Sequence, residues 1–130
     1  MKYLPIIALG SGLGGACRYL ADLLALQAGA ATFPAGTLAA NVTGSLLIGW
    51  LAGHWAVEGA SSPHPGKWHF WMTGVCAGYT TFSTFAWEVL EMVRRGEGLA
   101  GGLYAAASLG LGVLAVWLGV LLAMRRRCRT

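Results

Sequence analysis

Charge is what this sequence has least of. Only 11% of its 130 residues are Asp, Glu, Lys or Arg, while 56% are hydrophobic. A soluble domain carries about 25% charged residues, so too few are present here to cover a water-facing surface. A mean hydropathy of +0.60 agrees. Acid is scarcest, with five Asp and Glu in all and none between Asp22 and Glu58. That gap argues against a dinucleotide site at Gly10-Ser11-Gly12-Leu13-Gly14-Gly15. The run matches G-x-G-x-x-G, but it lies in an apolar segment and lacks the acid about 20 residues further on; close helix packing through Gly10-x-x-x-Gly14 explains it better. Cysteine is also sparse. Cys17, Cys76 and Cys128 form no C-x-x-C pair, and Cys17 and Cys76 read as small packing residues in apolar segments. His54, His64 and His69 gather around one loop without metal-ligand spacing. No nucleophile, base and orienting group stand together, so nothing points to an enzyme.

What is present suits lipid. Twenty glycines and six tryptophans fit membrane helices, which use more Gly and place Trp at their interfaces. Four windows, approximately 4–27, 34–57, 68–93 and 99–124, meet the ~20 residues that a bilayer core demands. The expectation is one all-α integral membrane domain over 1–130, a multi-pass protein of a cell membrane with the lipid bilayer as its solvent. Pro34 suits the first turn of the second helix. Lys2, the apolar start and Ala28-Gly29-Ala30 imitate a cleaved signal peptide, but Arg18 and Asp22 interrupt the run and three further segments follow, so the first segment is read as retained. Four of the nine Lys and Arg fall at Arg125, Arg126, Arg127 and Arg129. This tail reads as a basic anchor at anionic headgroups, and nucleic acid is not expected as a partner. With an even number of spans it joins Lys2 and Lys67 on one side, which favours cytoplasmic termini. Without the tail that bias almost vanishes, so orientation is weakly specified.

The third window is unusual. Gly74-Val75-Cys76-Ala77-Gly78-Tyr79-Thr80-Thr81-Phe82-Ser83-Thr84-Phe85 puts Gly, Thr and Ser where an ordinary span has Leu. Hydroxyls compete for backbone bonds, and Gly78 can leave helical geometry cheaply. A break is tolerated in a membrane only where protein or a wet cavity covers it. A continuous helix with small residues at a packing face remains the other reading. Thr37, Asn41 and Ser45 recur every four residues on the second helix, as Tyr104 and Ser108 do on the fourth. Phe82 and Phe85 share a face beside Ser83 and Thr84. Such an uncharged, donor-rich stripe suits an anion that must shed water without being trapped, and phenyl edges are electropositive. Interhelical hydrogen bonding with aromatic packing would produce the same pattern. Arg18 and Asp22, four apart, can pair on one face. In-span Arg18 and Glu88 are open to a vestibule role, whereas Asp22 and Glu91 read as interfacial.

These residues bring out a resemblance. Gly14-Gly15-Ala16-Cys17-Arg18-Tyr19, Gly36-Thr37-Leu38-Ala39-Ala40-Asn41-Val42-Thr43-Gly44 and Thr80-Thr81-Phe82-Ser83-Thr84-Phe85-Ala86-Trp87-Glu88 are similar to the Fluc/CrcB family of fluoride channels. The resemblance implies four transmembrane helices with a break in the third, assembled as an antiparallel, dual-topology homodimer. It implies passive export of toxic fluoride through two pores. It places Asn41, Phe82 and Phe85 in the pore, Thr37, Ser83 and Thr84 nearby, and Tyr104 and Ser108 along a polar track. Arg18 and Glu88 resemble the family's vestibule pair. A structural sodium ion is implied at the dimer centre, on backbone carbonyls that correspond to Ala77 and Thr80, with no organic cofactor. The chain departs from the family pattern at Ala77-Gly78, where two glycines are common, and at Gly112, where a hydroxyl is common. Its basic tail also sits uneasily with insertion in both orientations. A small multidrug transporter would use an in-membrane glutamate for proton coupling, and Glu88 at a span end argues against that. An assembly partner without flux of its own is the third possibility.

Overall fold

The structure, a computed structural model, describes residues 2–29, 33–57 and 64–127, with backbone alone at 56, 57, 126 and 127. The described residues are mostly helical and contain no strand. Helix α1 spans Leu4–Gln27 and α2 spans Ala35–Val57. The next helix, α3, begins as Pro65–Trp68, continues as a π-helical stretch His69–Cys76 and closes with Ala77–Tyr79. After Thr80 and Thr81 come α4, Phe82–Arg94, and α5, Gly98–Arg127. The helices α1, α2 and α5 are long and apolar enough to cross a membrane. The expected first span matches α1 from end to end. Pro34 stands just ahead of α2, and its carbonyl accepts from Leu38 N–H at 3.1 Å. The third segment starts at Pro65, three residues earlier than expected, because His64 Nδ1 accepts from Gly66 N–H at 3.2 Å and caps it. Expectations about residues 30–32, 58–63 and 128–130 (two loops and the end of the tail) lie outside the described residues.

In lipid, helices gain little from burying apolar groups against each other, so close backbone approach through small residues carries much of the association. Helix α1 packs chiefly on α3. A Cβ at Gly10 would stand 2.6 Å from the Phe70 carbonyl oxygen, and one at Gly14 would stand 2.7 Å from Tyr79 N. The Gly10-x-x-x-Gly14 face is therefore the contact the sequence suggested. Gly78 belongs to the same seam, since a Cβ there would lie 2.8 Å from Ser11 Cα. Cys76 is buried in this layer, whereas Cys17 is exposed on the protomer.

Helix α2 packs chiefly on α5 and runs parallel to it, so Ser45 faces Gly112, Gly49 faces Val116 and Gly53 faces Ala123. Helix α4 folds back on α5 through a tight turn. There Glu97 N–H donates to Met92 O at 2.9 Å and Gly96 N–H to Val93 O at 3.0 Å, with Gly96 at φ +82°. This doubly bonded helix end needs a residue at positive φ, a place where glycine escapes the Cβ clash.

Candidate functional site: a polar groove beside a broken helix

The break falls at Thr80–Thr81, just after Gly78. Thr80 (φ −81°, ψ 156°) and Thr81 (φ −149°, ψ 126°) are both extended. β-Branched residues favour that geometry, while Gly78 stays helical to meet α1. The N–H groups of Thr80, Thr81 and Thr84 all find acceptors at the break. Thr80 N–H and Thr80 Oγ1 both donate to Cys76 O, at 3.0 and 2.9 Å. Thr81 N–H donates to Asn41 Oδ1 at 2.8 Å, and Thr81 O accepts from Asn41 Nδ2 at 3.0 Å. Thr81 Oγ1 accepts from Thr84 N–H at 3.2 Å and thereby caps α4.

That cap also joins the ring of hydroxyls. Thr81 Oγ1 donates to Thr84 Oγ1 at 3.0 Å, and Arg18 Nη1 reaches the same Thr84 oxygen at 3.5 Å. Arg18 does not pair with Asp22, four residues on, because the guanidinium is drawn toward the start of α4. Its Nε is buried without a hydrogen-bond partner. The exposed ion pair at this end of the molecule is Arg95 with Glu91, at 3.3 Å.

Two hollows lie along α4, one of them at the break. The larger is an open groove of about 400 Å³ between α2, α4 and α5. Asn41, Ser45, Thr80, Thr81, Phe82, Phe85 and Ser108 line it, and Ile48, Val113 and Val116 close its apolar end. No Lys, Arg, Asp or Glu lines it. The Phe82 and Phe85 rings lie 5.7 Å apart between centroids, and Phe82 is 76% exposed at the lip. Ser108 Oγ is buried and lacks a partner within bonding geometry. The second hollow, of about 320 Å³, includes Asp22, Thr37, Glu88, Glu91 and Arg95 in its lining.

Tyr104 stands between the two hollows, 2% exposed. Its ring lies 5.5 Å from Phe85 and its hydroxyl donates to Glu88 Oε2 at 2.7 Å. Thr37 Oγ1 donates to the other carboxylate oxygen at 2.6 Å. Glu88 is thus seven residues into α4, with both oxygens held by neutral hydroxyls.

The sequence-derived set therefore divides. Asn41, Phe82, Phe85 and Ser108 share the groove. Thr37 and Tyr104 donate hydrogen bonds to Glu88, which faces the second hollow. Ser83 and Thr84 lie outside the groove lining, Ser83 exposed and Thr84 bonded to Thr81. Arg18 and Glu88 line no common hollow. One contributor was missed. Thr81, placed in the sequence only as part of a motif, both shapes the break and caps α4; its signal was Thr81-x-x-Thr84, a hydroxyl three residues before another helical N–H. Ser45 lies 3.7 Å from where a Cβ at Gly112 would stand, so it supplies a hydroxyl across from the glycine that departs from the family pattern.

The implied cation site passes a chemical test. In a continued helix, the Ala77 carbonyl would accept from Thr81 N–H and the Thr80 carbonyl from Thr84 N–H. Both donors are engaged by side chains instead. The angles at Ala77 (φ −68°, ψ −32°) are ordinary for alanine, so the missing glycine costs the backbone nothing there. Unwound carbonyls and half-helix C-terminal ends are what membrane proteins offer to sodium.

Comparison with known proteins adds an independent line. Residues 5–120 match the family model described as CrcB-like protein, Camphor Resistance (CrcB). A protein of Paramagnetospirillum magneticum named fluoride-specific ion channel FluC is 44% identical over 115 residues, covering 88% of this chain and 89% of its own. The protein of that name from Flavobacterium psychrophilum is 40% identical over 123 residues, covering 95% and 98%. The one from Opitutus terrae is 46% identical over 114 residues, covering 87% and 86%.

Proposed function

The chain belongs to the Fluc/CrcB family and is a multi-pass membrane protein, and from that premise we propose that it is a fluoride-selective channel that lets the anion leave the cytoplasm passively. The observation that carries the reading is the uncharged groove. Fluoride holds its water tightly, so a path must offer replacement donors at each step. Asn41 keeps one amide N–H beyond the one given to Thr81, and the Ser45 and Ser108 hydroxyls are one helical turn or more along. Phe82 and Phe85 offer electropositive ring edges. With no cation in the lining, no single stop holds the ion too strongly to release it.

Assembly follows from what one protomer leaves open. The groove is open on one side, and Phe82 with the extended Thr80–Thr81 backbone lies at its edge. Hydrocarbon cannot cover extended backbone or line an ion path. A second copy can. We read the functional unit as an antiparallel homodimer with two pores, in which α3 and α4 together make the third of four crossings and the protein inserts in both orientations. The Ala77 and Thr80 carbonyls would hold a sodium ion at the dimer centre, where its charge offsets carbonyl dipoles brought together by the two breaks. Arg18 and Glu88 serve the approaches on either side of the break.

The test is fluoride efflux from liposomes that contain only this protein, followed with a fluoride electrode. A channel gives fast flux that follows the ion gradient and is indifferent to a proton gradient. Saturable flux that needs protons would make the protein a transporter, and no flux would make it an assembly partner.

A further inference from the structure

The Asn41 amide is engaged at both ends by one residue. Its Oδ1 accepts from Thr81 N–H at 2.8 Å and its Nδ2 donates to the Thr81 carbonyl at 3.0 Å. Two neighbouring strands exchange the same pair of bonds in an antiparallel ladder; here a side chain supplies one strand's part. The pairing also fixes the amide's orientation, because the reverse would set donor against donor and acceptor against acceptor. Thr81 N–H is the donor that would close the helix onto the Ala77 carbonyl. Asn41 lines the groove as well, so a single side chain touches both the anion path and the peptide that opens the break.

We propose that Asn41 is a positioning residue: its amide holds Thr81 extended, which keeps the Ala77 carbonyl open to a sodium ion and links the groove to the cation site. The inference rests on the channel reading with its central cation. Without the amide, the Thr81 N–H would face a membrane interior unpaired, a state that hydrocarbon penalises heavily, while the Thr81 carbonyl, at the N-cap of α4, keeps its place in that helix. The nearest remedy within the chain is the Ala77 carbonyl. Taking it would extend α3 by a residue and remove a sodium ligand. Thr84 N–H is held by the Thr81 hydroxyl, so the Thr80 carbonyl depends on the same residue staying in place.

The test measures the melting temperature of the purified full-length protein across a sodium titration, with N-methylglucamine as the replacement cation. A ligand that binds the folded state raises its stability with a midpoint set by affinity. Wild type is expected to saturate. Asn41→Ala should move the sodium midpoint upward about tenfold or more, the usual penalty when a second-layer partner of a metal ligand is lost. Asn41→Asp should shift it in the same direction, since a carboxylate still accepts from Thr81 N–H but sets an oxygen against the Thr81 carbonyl. Ser45→Ala, one turn along in the same groove, should keep the wild-type midpoint. If Asn41→Ala yields no folded protein, Asn41→Asp and Asn41→Ser carry the comparison. A wild-type midpoint in the Asn41 variants, even with a lower melting temperature at zero sodium, would reduce Asn41 to a brace and overturn the proposal. A wild type that sodium does not stabilise would overturn it too. Absence of fluoride flux with the midpoint shift intact would overturn the channel reading alone and leave Asn41's hold on the cation site standing.

Discussion

Helices α2 and α5 meet in two different ways along one interface. In the half that holds Gly49, Gly53 and Gly119, the backbones nearly touch: a Cβ at Gly119 would stand 2.6 Å from Trp50 N, and one at Gly53 would stand 2.9 Å from Ala123 Cβ. In the half that holds Asn41, Ser45, Ser108 and Gly112, an added Cβ at Gly112 meets nothing nearer than Ser45 Oγ at 3.7 Å. Both halves use small residues, yet one is dry contact and the other a polar groove. The difference lies in what stands beside them. Phe85 and Tyr104 wedge into the second half, 5.5 Å apart, and Ser45 lines the open groove there. A glycine in a membrane helix is therefore not one signal. It marks close packing at Gly119 and open space at Gly112.

The largest effect expected from breaking this contrast is at the dry half. Gly119→Leu drives a side chain into the α2 backbone, where overpacking costs about 1–3 kcal/mol even in forgiving cores; the expected result is loss of the folded peak in size-exclusion chromatography. Next come the rings at the groove. Phe82→Ile and Phe85→Ile should each lower fluoride flux about tenfold or more, the equivalent of about 1.4 kcal/mol in a barrier, while the protein elutes as wild type. Wild-type rates in both would remove the rings from the path. Tyr104→Phe takes one donor from Glu88 and should lower stability by about 1–2 kcal/mol, read as a lower melting temperature. Gly112→Ser should fold as wild type and conduct at least as well, because the space is open and a hydroxyl joins the track. The smallest effect belongs to Glu91→Ala. Its pair with Arg95 is exposed, so a loss of about 0.3–0.5 kcal/mol at most is expected, with flux unchanged.

Much of this molecule was legible beforehand, for definite reasons. The apolar windows placed α1, α2 and α5, because lipid demands length and little else. The Gly10-x-x-x-Gly14 spacing named the face that α1 turns to α3. Four-residue spacing put Thr37, Asn41 and Ser45 on one side of α2, and all three find the break, Glu88 or the groove there. What escaped was which glycine does what. The break was expected from Gly78 together with the hydroxyl residues; tertiary contact with Ser11 holds Gly78 helical, and the threonines after it open alone. Nothing in His69–Cys76 signals a π-helical coil; that geometry arises in the layer where Gly74 and Gly10 bring two backbones together. The Arg18–Asp22 spacing suggested a pair, but a hydroxyl on another helix drew the guanidinium away. Spacing along one helix cannot report a competitor on its neighbour.

The central claim is that neutral hydrogen-bond donors and aromatic edges, without a fixed positive charge in the lining, select the anion. The reversal potential of a planar bilayer with fluoride on one side and chloride on the other tests it most directly. A potential set almost wholly by the fluoride gradient is the result this account predicts. One that treats the two halides alike would contradict it.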